Sequence, residues 1–315
     1  MSYAQFGLVE ASDFNNLAGG NPVTSSGKIN TVWATGGGSA GYGQTAVGNV
    51  TVGTSVAASN WASIVNNTTN AAAHQGSSIT SVTAPSTGNV ITFNSAISSN
   101  LTTIYNNRLN ASSQGSTTPN AVTFNSSWSS GLIFTHTVTF ASGDAARYFF
   151  NAGGQISLQC SHPSGSGIDL TLSELASNIG TVYLSAPSSG TATIASTSYN
   201  GITKVGGGGS TPTISTNTGY YALTTANATV FTQTASGSGP YLNSYIRFVI
   251  KSNGTQGSNG DAGNIITIYT IWDEVPDGLT ASSGSTTTLT VRTPSTTYIA
   301  NTWGAITPSG TVSGS

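Results

Sequence analysis

The chain has 315 residues, with only seven basic and nine acidic side chains, a charged fraction of 5% and a formal net charge of −2. Ordinary globular proteins carry roughly 25% charge. This balance leaves no basic footprint for nucleic acid, no apolar run long enough for a membrane-inserted helix, and, with one cysteine (Cys160), no disulfide framework. In place of charge stand 48 Ser, 49 Thr, 27 Asn and 39 Gly, just over half the sequence. The aromatic fraction of 9% and the recurrent Val, Ile and Thr set it apart from disordered chains, so it folds, mostly as strands.

Hydroxyls and amides hydrogen-bond without the desolvation penalty of ions, and therefore suit subunit contacts in a large assembly. Selection against trypsin-like cleavage is the alternative cause of so few Lys and Arg. Both point to an extracellular or particle-bound structural protein. The start, Met1-Ser2-Tyr3-Ala4-Gln5, has no basic stretch followed by an apolar one, so no secretory signal is expected.

In chain order, residues 1–110 read as a smaller mixed α/β region suited to docking. Gly19 to Gly48 is loop-like, with Trp33 and Tyr42 as anchors. Ala57, Trp61, Ile64, Val65 and Thr68 repeat at helical spacing before Gly76, and a second helix runs from Ser95 to about Leu109 with Asn94 or Ser95 as its cap. Residues 111–120 read as a linker or long turn. From 120 to 315 the pattern becomes that of an antiparallel β domain. Leu132, Phe134, His136, Val138 and Phe140 alternate with polar positions. Strands at Ala146–Phe150 and Gln155–Cys160 would complete a meander.

A short helix is expected near 171–179, with Thr171 and Glu174 as a capping box and Gly180 as its stop. Further strands are expected at Thr181–Leu184, Thr191–Ser196, Tyr220–Thr225, Ala228–Thr234, Tyr245–Lys251, Asn264–Trp272 and Thr286–Arg292. The fold class is therefore mainly β: an antiparallel β-sandwich or jelly roll with a short helical insertion.

Residues that could carry chemistry are few. His136 lies on an apolar strand face and reads as a hydrogen-bonded core histidine; His74 sits at a helix end. Only Cys160 and His162 stand close enough to suggest a metal, too few ligands for zinc. No GxSxG elbow is present, and Cys160 reads as a packed thiol. Asp273, Glu274 and Asp277 form the one acidic cluster. They could hold Ca²⁺ or serve a polysaccharide-degrading enzyme, but a turn at Val275-Pro276-Asp277-Gly278 explains them better. Arg147 should pair with Asp144 or Asp169, because an unpaired buried charge costs several kcal/mol. Tyr220 and Tyr221 are the candidate glycan-contact aromatics. No catalytic, cofactor or metal residue is assigned.

The run Gly143-Asp144-Ala145-Ala146-Arg147-Tyr148-Phe149-Phe150-Asn151-Ala152-Gly153-Gly154-Gln155-Ile156 resembles a segment of virion structural proteins of tailed bacteriophages, especially T4-like phages of marine cyanobacteria. Trp33-Ala34-Thr35-Gly36, Gly41-Tyr42-Gly43-Gln44 and His74-Gln75-Gly76 share that resemblance. It implies a virion protein assembled in the host cytoplasm: a non-enzymatic tail, baseplate, neck or fibre component contacting copies of itself and neighbouring virion proteins. The alternative is a receptor- or glycan-binding module at the distal end of the tail.

Overall fold

The computed structural model describes residues 11–19, 25–51, 53–89, 95–256, 263–273, 276 and 278–314. The chain opens with helices α1 (Ala11–Ala18), α2 (Ile29–Val32), α3 (Ala58–Gln75) and α4 (Ser95–Asn106). Their apolar faces meet around Phe14, Ile29, Val32, Trp61, Ile64, Leu101 and Ile104, with Phe14 edge-on to Trp61 at 5.5 Å. α3 ends where the spacing placed it, at Gly76, whose φ of 68° is the left-handed conformation that closes a helix. Asn94 lies outside the described residues. The buried core of these helices is continuous with that of the β region, through Phe140, Phe149 and Phe150 to Trp272 and Trp303.

The β region is antiparallel throughout its two large sheets. β1 (Gln114–Phe124), β2 (Leu132–Thr139), helix α5 (Gly143–Asn151), β3 (Gln155–Ser161), helix α6 (Ile168–Ile179) and β4 (Thr181–Leu184) come first. The hairpin β5 (Ala192–Ile194) and β6 (Thr197–Tyr199), then β7 (Ile202–Val205) and β8 (Thr213–Ile214), precede the long strands. Those are β9 (Ala228–Thr234), β10 (Tyr245–Ser252), β11 (Ile265–Asp273), β12 (Ser285–Pro294) and β13 (Thr307–Gly314). One sheet has the order β1-β12-β3-β4-β7 and the other β13-β2-β11-β10-β9-β8. They form a β-sandwich. A Cβ on Gly310 of β13 would fall 2.5 Å from Val122 of β1, so the two edge strands press together along one side. On the other side α6 lies between β3 of one sheet and β9 and β10 of the other, burying Leu172, Leu175, Ala176 and Ile179.

Several expectations are corrected. Ala146–Phe150 belongs to α5, not to a strand. Ser142 Oγ accepts the Ala145 N–H at 3.0 Å, and Ala145, Ala146, Phe149 and Phe150 make one buried helical face. β2 and β3 are therefore not a hairpin: α5 carries the chain from one sheet to the other. Residues 111–120 are no linker, since β1 pairs with β12 from Gln114 onward. Its side chains are mostly exposed, so no apolar alternation marks it. α6 starts at Ile168 rather than Thr171. Thr171 Oγ1 donates back to Gly167 O, and Glu174 Oε2 accepts the backbone N–H groups of Ser238 and Gly239 at 2.9 and 3.0 Å. Tyr220–Ala222 is a 3₁₀ turn in place of the expected strand.

His136 is fully buried between the sheets, on the inner face of β2. The backbone of Asn120 and Thr287 faces its ring, yet neither ring nitrogen makes a well-formed hydrogen bond. Burial lowers its pKa to about 4 from 6.5, against those two backbone groups. The unfolded chain thus binds a proton from about pH 6.5 downward that the folded chain refuses until about pH 4. Stability is therefore lost as the pH falls through that window, by about 3 kcal/mol for this imidazole. We expect His136→Leu to match or exceed the parent's melting temperature at pH 7 and to lose less on acidification to pH 4.5. Equal acid losses in urea titrations would contradict the assignment.

Candidate functional site

The segments that stand out in the sequence meet at one place. Residues 33–44 form a tight loop closed by backbone hydrogen bonds from Tyr42, Gly43 and Gln44 to Val32, Ala34 and Trp33. Gly36 and Gly41 have φ of 55° and 96°, and a Cβ on Gly41 would lie 2.0 Å from Thr35 O. Only glycine lets the chain fold back so closely.

α5 packs Arg147 into this loop. Its guanidinium is fully buried; Nη1 donates to Ala40 O at 2.7 Å, Nη2 to Thr35 O at 2.8 Å, and Nε to Asp144 Oδ1 at 3.1 Å. Asp144, one turn earlier, keeps its side chain 29% exposed. One turn later Asn151 Nδ2 donates to Gly41 O at 3.0 Å. The Tyr221 hydroxyl stands 2.6 Å from Asn151 Oδ1 and 2.8 Å from Gly38 O, able to donate to one at a time. Most loop carbonyls that face inward are therefore met by a side chain of α5 or its neighbour. Buried carbonyls without such partners would each cost about 1–3 kcal/mol.

On the other flank, Tyr42 is fully buried, edge-on to His74 at 5.2 Å; its hydroxyl donates to Arg108 O at 2.9 Å and accepts Gln75 Nε2 at 2.8 Å. Burial pushes the Tyr42 phenol far above its ordinary range, outweighing the Gln75 hydrogen bond and the Arg108 charge. His74 Nε2 sits 3.0 Å from Ala152 O at the end of α5. Burial lowers its pKa to about 4, despite that hydrogen bond. Gln44 exchanges two hydrogen bonds with the backbone of Ala300, both 2.9 Å, tying the loop to the chain between β12 and β13. The node thus joins the N-terminal helices, α5 and the sandwich.

The remaining sequence candidates separate. Tyr220 cannot serve as a glycan platform: it is fully buried and stacked on Phe150 at 4.2 Å and 14°. Tyr221 is partly exposed, with its hydroxyl turned into the node. Asp273 Oδ2 accepts the Tyr245 hydroxyl at 2.7 Å, while Glu274 and Asp277 lie outside the described residues. Among the described residues no group of three acidic, His or Cys side chains could hold a metal ion. The half-buried Cys160 thiol is pushed up to about 12 by burial, against a contact with Thr287, which disfavours the thiolate.

Asp169 is not the partner of Arg147. It pairs with His162, in an arrangement the spacing did not reveal. His162 Nε2 lies 3.0 Å from Asp169 Oδ1, and Nδ1 lies 2.8 Å from Ser285 Oγ. Burial pushes the Asp169 carboxyl up, but hydrogen bonds from the Ser282 side chain and backbone, and from His162, hold it below the ordinary carboxylate range. Ser, His and Asp in line resemble a hydrolase triad. Ser285, however, is fully buried and its oxygen also accepts Trp128 Nε1 at 3.1 Å. A nucleophile needs access to its substrate, so this relay pins β12 to the start of α6.

Two outcomes follow from these geometries. Arg147→Ala should cost about 3–5 kcal/mol in denaturant unfolding, since it removes the counter-charge of Asp144 and the donors to the carbonyls of Thr35 and Ala40. Arg147→Lys should restore little of this, because one ammonium cannot reproduce the fork. A loss below about 1 kcal/mol for Arg147→Ala would remove the node from its central place. For the relay, a fluorophosphonate serine probe should leave the chain unlabelled, and labelling at Ser285 would make it catalytic.

Comparison with known proteins finds no matching family model, no matching curated protein and no matching solved structure.

Proposed function

We propose that the protein is a non-enzymatic structural subunit of a tailed-phage virion, a tail, baseplate, neck or fibre component. It would act through contacts with copies of itself and with neighbouring virion proteins. The observation that carries this reading is the character of its exposed secondary structure. α3 and α4 turn Ser59, Ser63, Asn66, Ser99 and Thr102 outward, and neither helix holds an Asp, Glu, Lys or Arg. Ser63 and Thr102 return their hydroxyl hydrogens to the carbonyls four residues earlier, which leaves a smooth, uncharged surface.

The sheet edges have the same character. β1 and β13 end their sheets side by side with no charged residue, each with a single proline, Pro119 and Pro308. Proteins that must stay monomeric usually guard such edges with charge, lysine above all. These edges lack charge and carry one proline each as their guard, which leaves most of their length suited to being covered. The resemblance of the node's segments to virion proteins supplies the particle, and the buried relay at Ser285 supports a role without catalysis.

In light scattering after size exclusion, the purified full chain should pass from small species to larger oligomers between about 1 µM and 1 mM. The association should change little between low salt and about 1 M salt, since surfaces without charges leave little for ions to screen. A monomer across that range would count against the proposal. So would failure to find the chain in purified particles of a phage that encodes it.

A further inference from the structure

A second arginine stands beside the glycine loop, and its hydrogen-bonding capacity is only partly used. Arg108, just beyond α4, lays its guanidinium over the Tyr105 ring at 4.5 Å. Nε donates to Ser39 O at 2.7 Å, Nη2 to Ser39 Oγ at 2.8 Å and Nη1 to Tyr105 O at 2.9 Å. A guanidinium has five N–H bonds, so one on each terminal nitrogen is left with no partner among the described residues. Among the described residues it forms no salt bridge with a carboxylate: those present join Arg147 to Asp144 and His162 to Asp169. Arg108 lines a cleft of about 300 Å³ together with Ser39, Pro187, Ser188, Ser189 and Tyr221.

We propose that this cleft binds a single sugar acid, a uronate or similar carboxylate-bearing residue of an acidic polysaccharide. Two N–H groups on adjacent terminal nitrogens match the two oxygens of a carboxylate. Stacking on Tyr105 and the clamp on Ser39 fix the guanidinium beforehand, which lowers the ordering cost of binding. The serine hydroxyls offer partners for sugar hydroxyls, and Pro187 and the Tyr221 ring supply apolar surface. The volume is at the small end of ligand pockets, about 300–1,000 Å³, and suits one ring rather than a long chain. This goes beyond the assembly role and does not depend on it: oligomer formation and ligand binding can each fail alone.

The test is calorimetric titration of the full chain with glucuronic acid, glucose and acetate. Glucuronic acid should bind with a dissociation constant of about 1 mM or tighter, and glucose and acetate at least about tenfold more weakly. Arg108→Gln would also release Ser39 and disturb the loop, so the decisive variant is Ser189→Glu, at an exposed rim position outside the node. It should weaken glucuronic acid more than about tenfold, by placing a competing carboxylate at Arg108, without changing the melting temperature. Absence of glucuronic acid binding, equal binding of glucose or acetate, or an unchanged affinity in Ser189→Glu would each overturn the proposal.

Discussion

Arg147 is a full charge with no exposed surface, and the structure around it is arranged to meet that fact. A buried guanidinium must spend its donors on oxygens held in place, or the chain gains nothing by enclosing it. The oxygens come from the 33–44 loop, whose carbonyls point inward because Gly36 and Gly41 let the chain turn back on itself. The dependence is mutual. Without the glycines the carbonyls would not converge, and without the guanidinium the carbonyls would be buried unpaired. This also explains why α5 is a helix. Helical spacing places Asp144, Arg147 and Asn151 on one side, with Phe149 and Phe150 turned into the core. A strand would send Arg147 and Phe149 to the same face.

A similar economy governs several other charges. Glu174 caps the backbone of Ser238 and Gly239, Asp169 holds His162 and Ser282, and Lys28 and Lys204 reach the carbonyls of Asn16 and Gly208. Most of these ions staple a loop to a regular element. In an ordinary protein most charges face water and keep molecules apart. Here the low charge fraction understates the difference: many of the few ions present are turned to internal work, and exposed helices and edges are left to hydroxyls and amides. Solubility then depends on groups that hydrogen-bond equally well to water and to a neighbouring chain.

Apolar periodicity made part of the fold legible before any coordinates. β2, β4, β9, β10, β11 and β12, together with α3 and α4, bury one face against a core and show it in their spacing. β1 and β13 bury little, so their pattern carries no signal, and only pairing across the chain defines them. Thr171 and Glu174 have the right spacing for a capping box, but local spacing cannot show that Ser238 and Gly239 would claim the carboxylate first. Tyr220 reads from the sequence as a candidate glycan contact because Phe150, which covers it, lies 70 residues away. The pairing of Asp144 with Arg147 was legible because it is local. The His162–Asp169–Ser285 relay was not, since Ser285 arrives from a strand more than a hundred residues later.

The two arginines at the glycine loop show how one residue type comes to serve different ends. Arg147 and Arg108 approach the same short turn from different helical segments, and both donate to its oxygens. Arg147 has no exposed surface, and beyond one acceptor per nitrogen its Nη1 also reaches Gly38 O at 3.4 Å and its Nη2 lies 3.1 Å from Asp144 Oδ1; it can bind nothing further. Arg108 has a tyrosine ring beneath it, two donors unmatched among the described residues, and open space in front. Arg108, with two donors unmatched at a cleft, lacks the enclosure that accounts for Arg147. Holding Ser39 would need only a neutral donor. The last turn of α4 and the Tyr105 ring already favour a cation there, and the two unmatched donors are what a carboxylate from outside would engage.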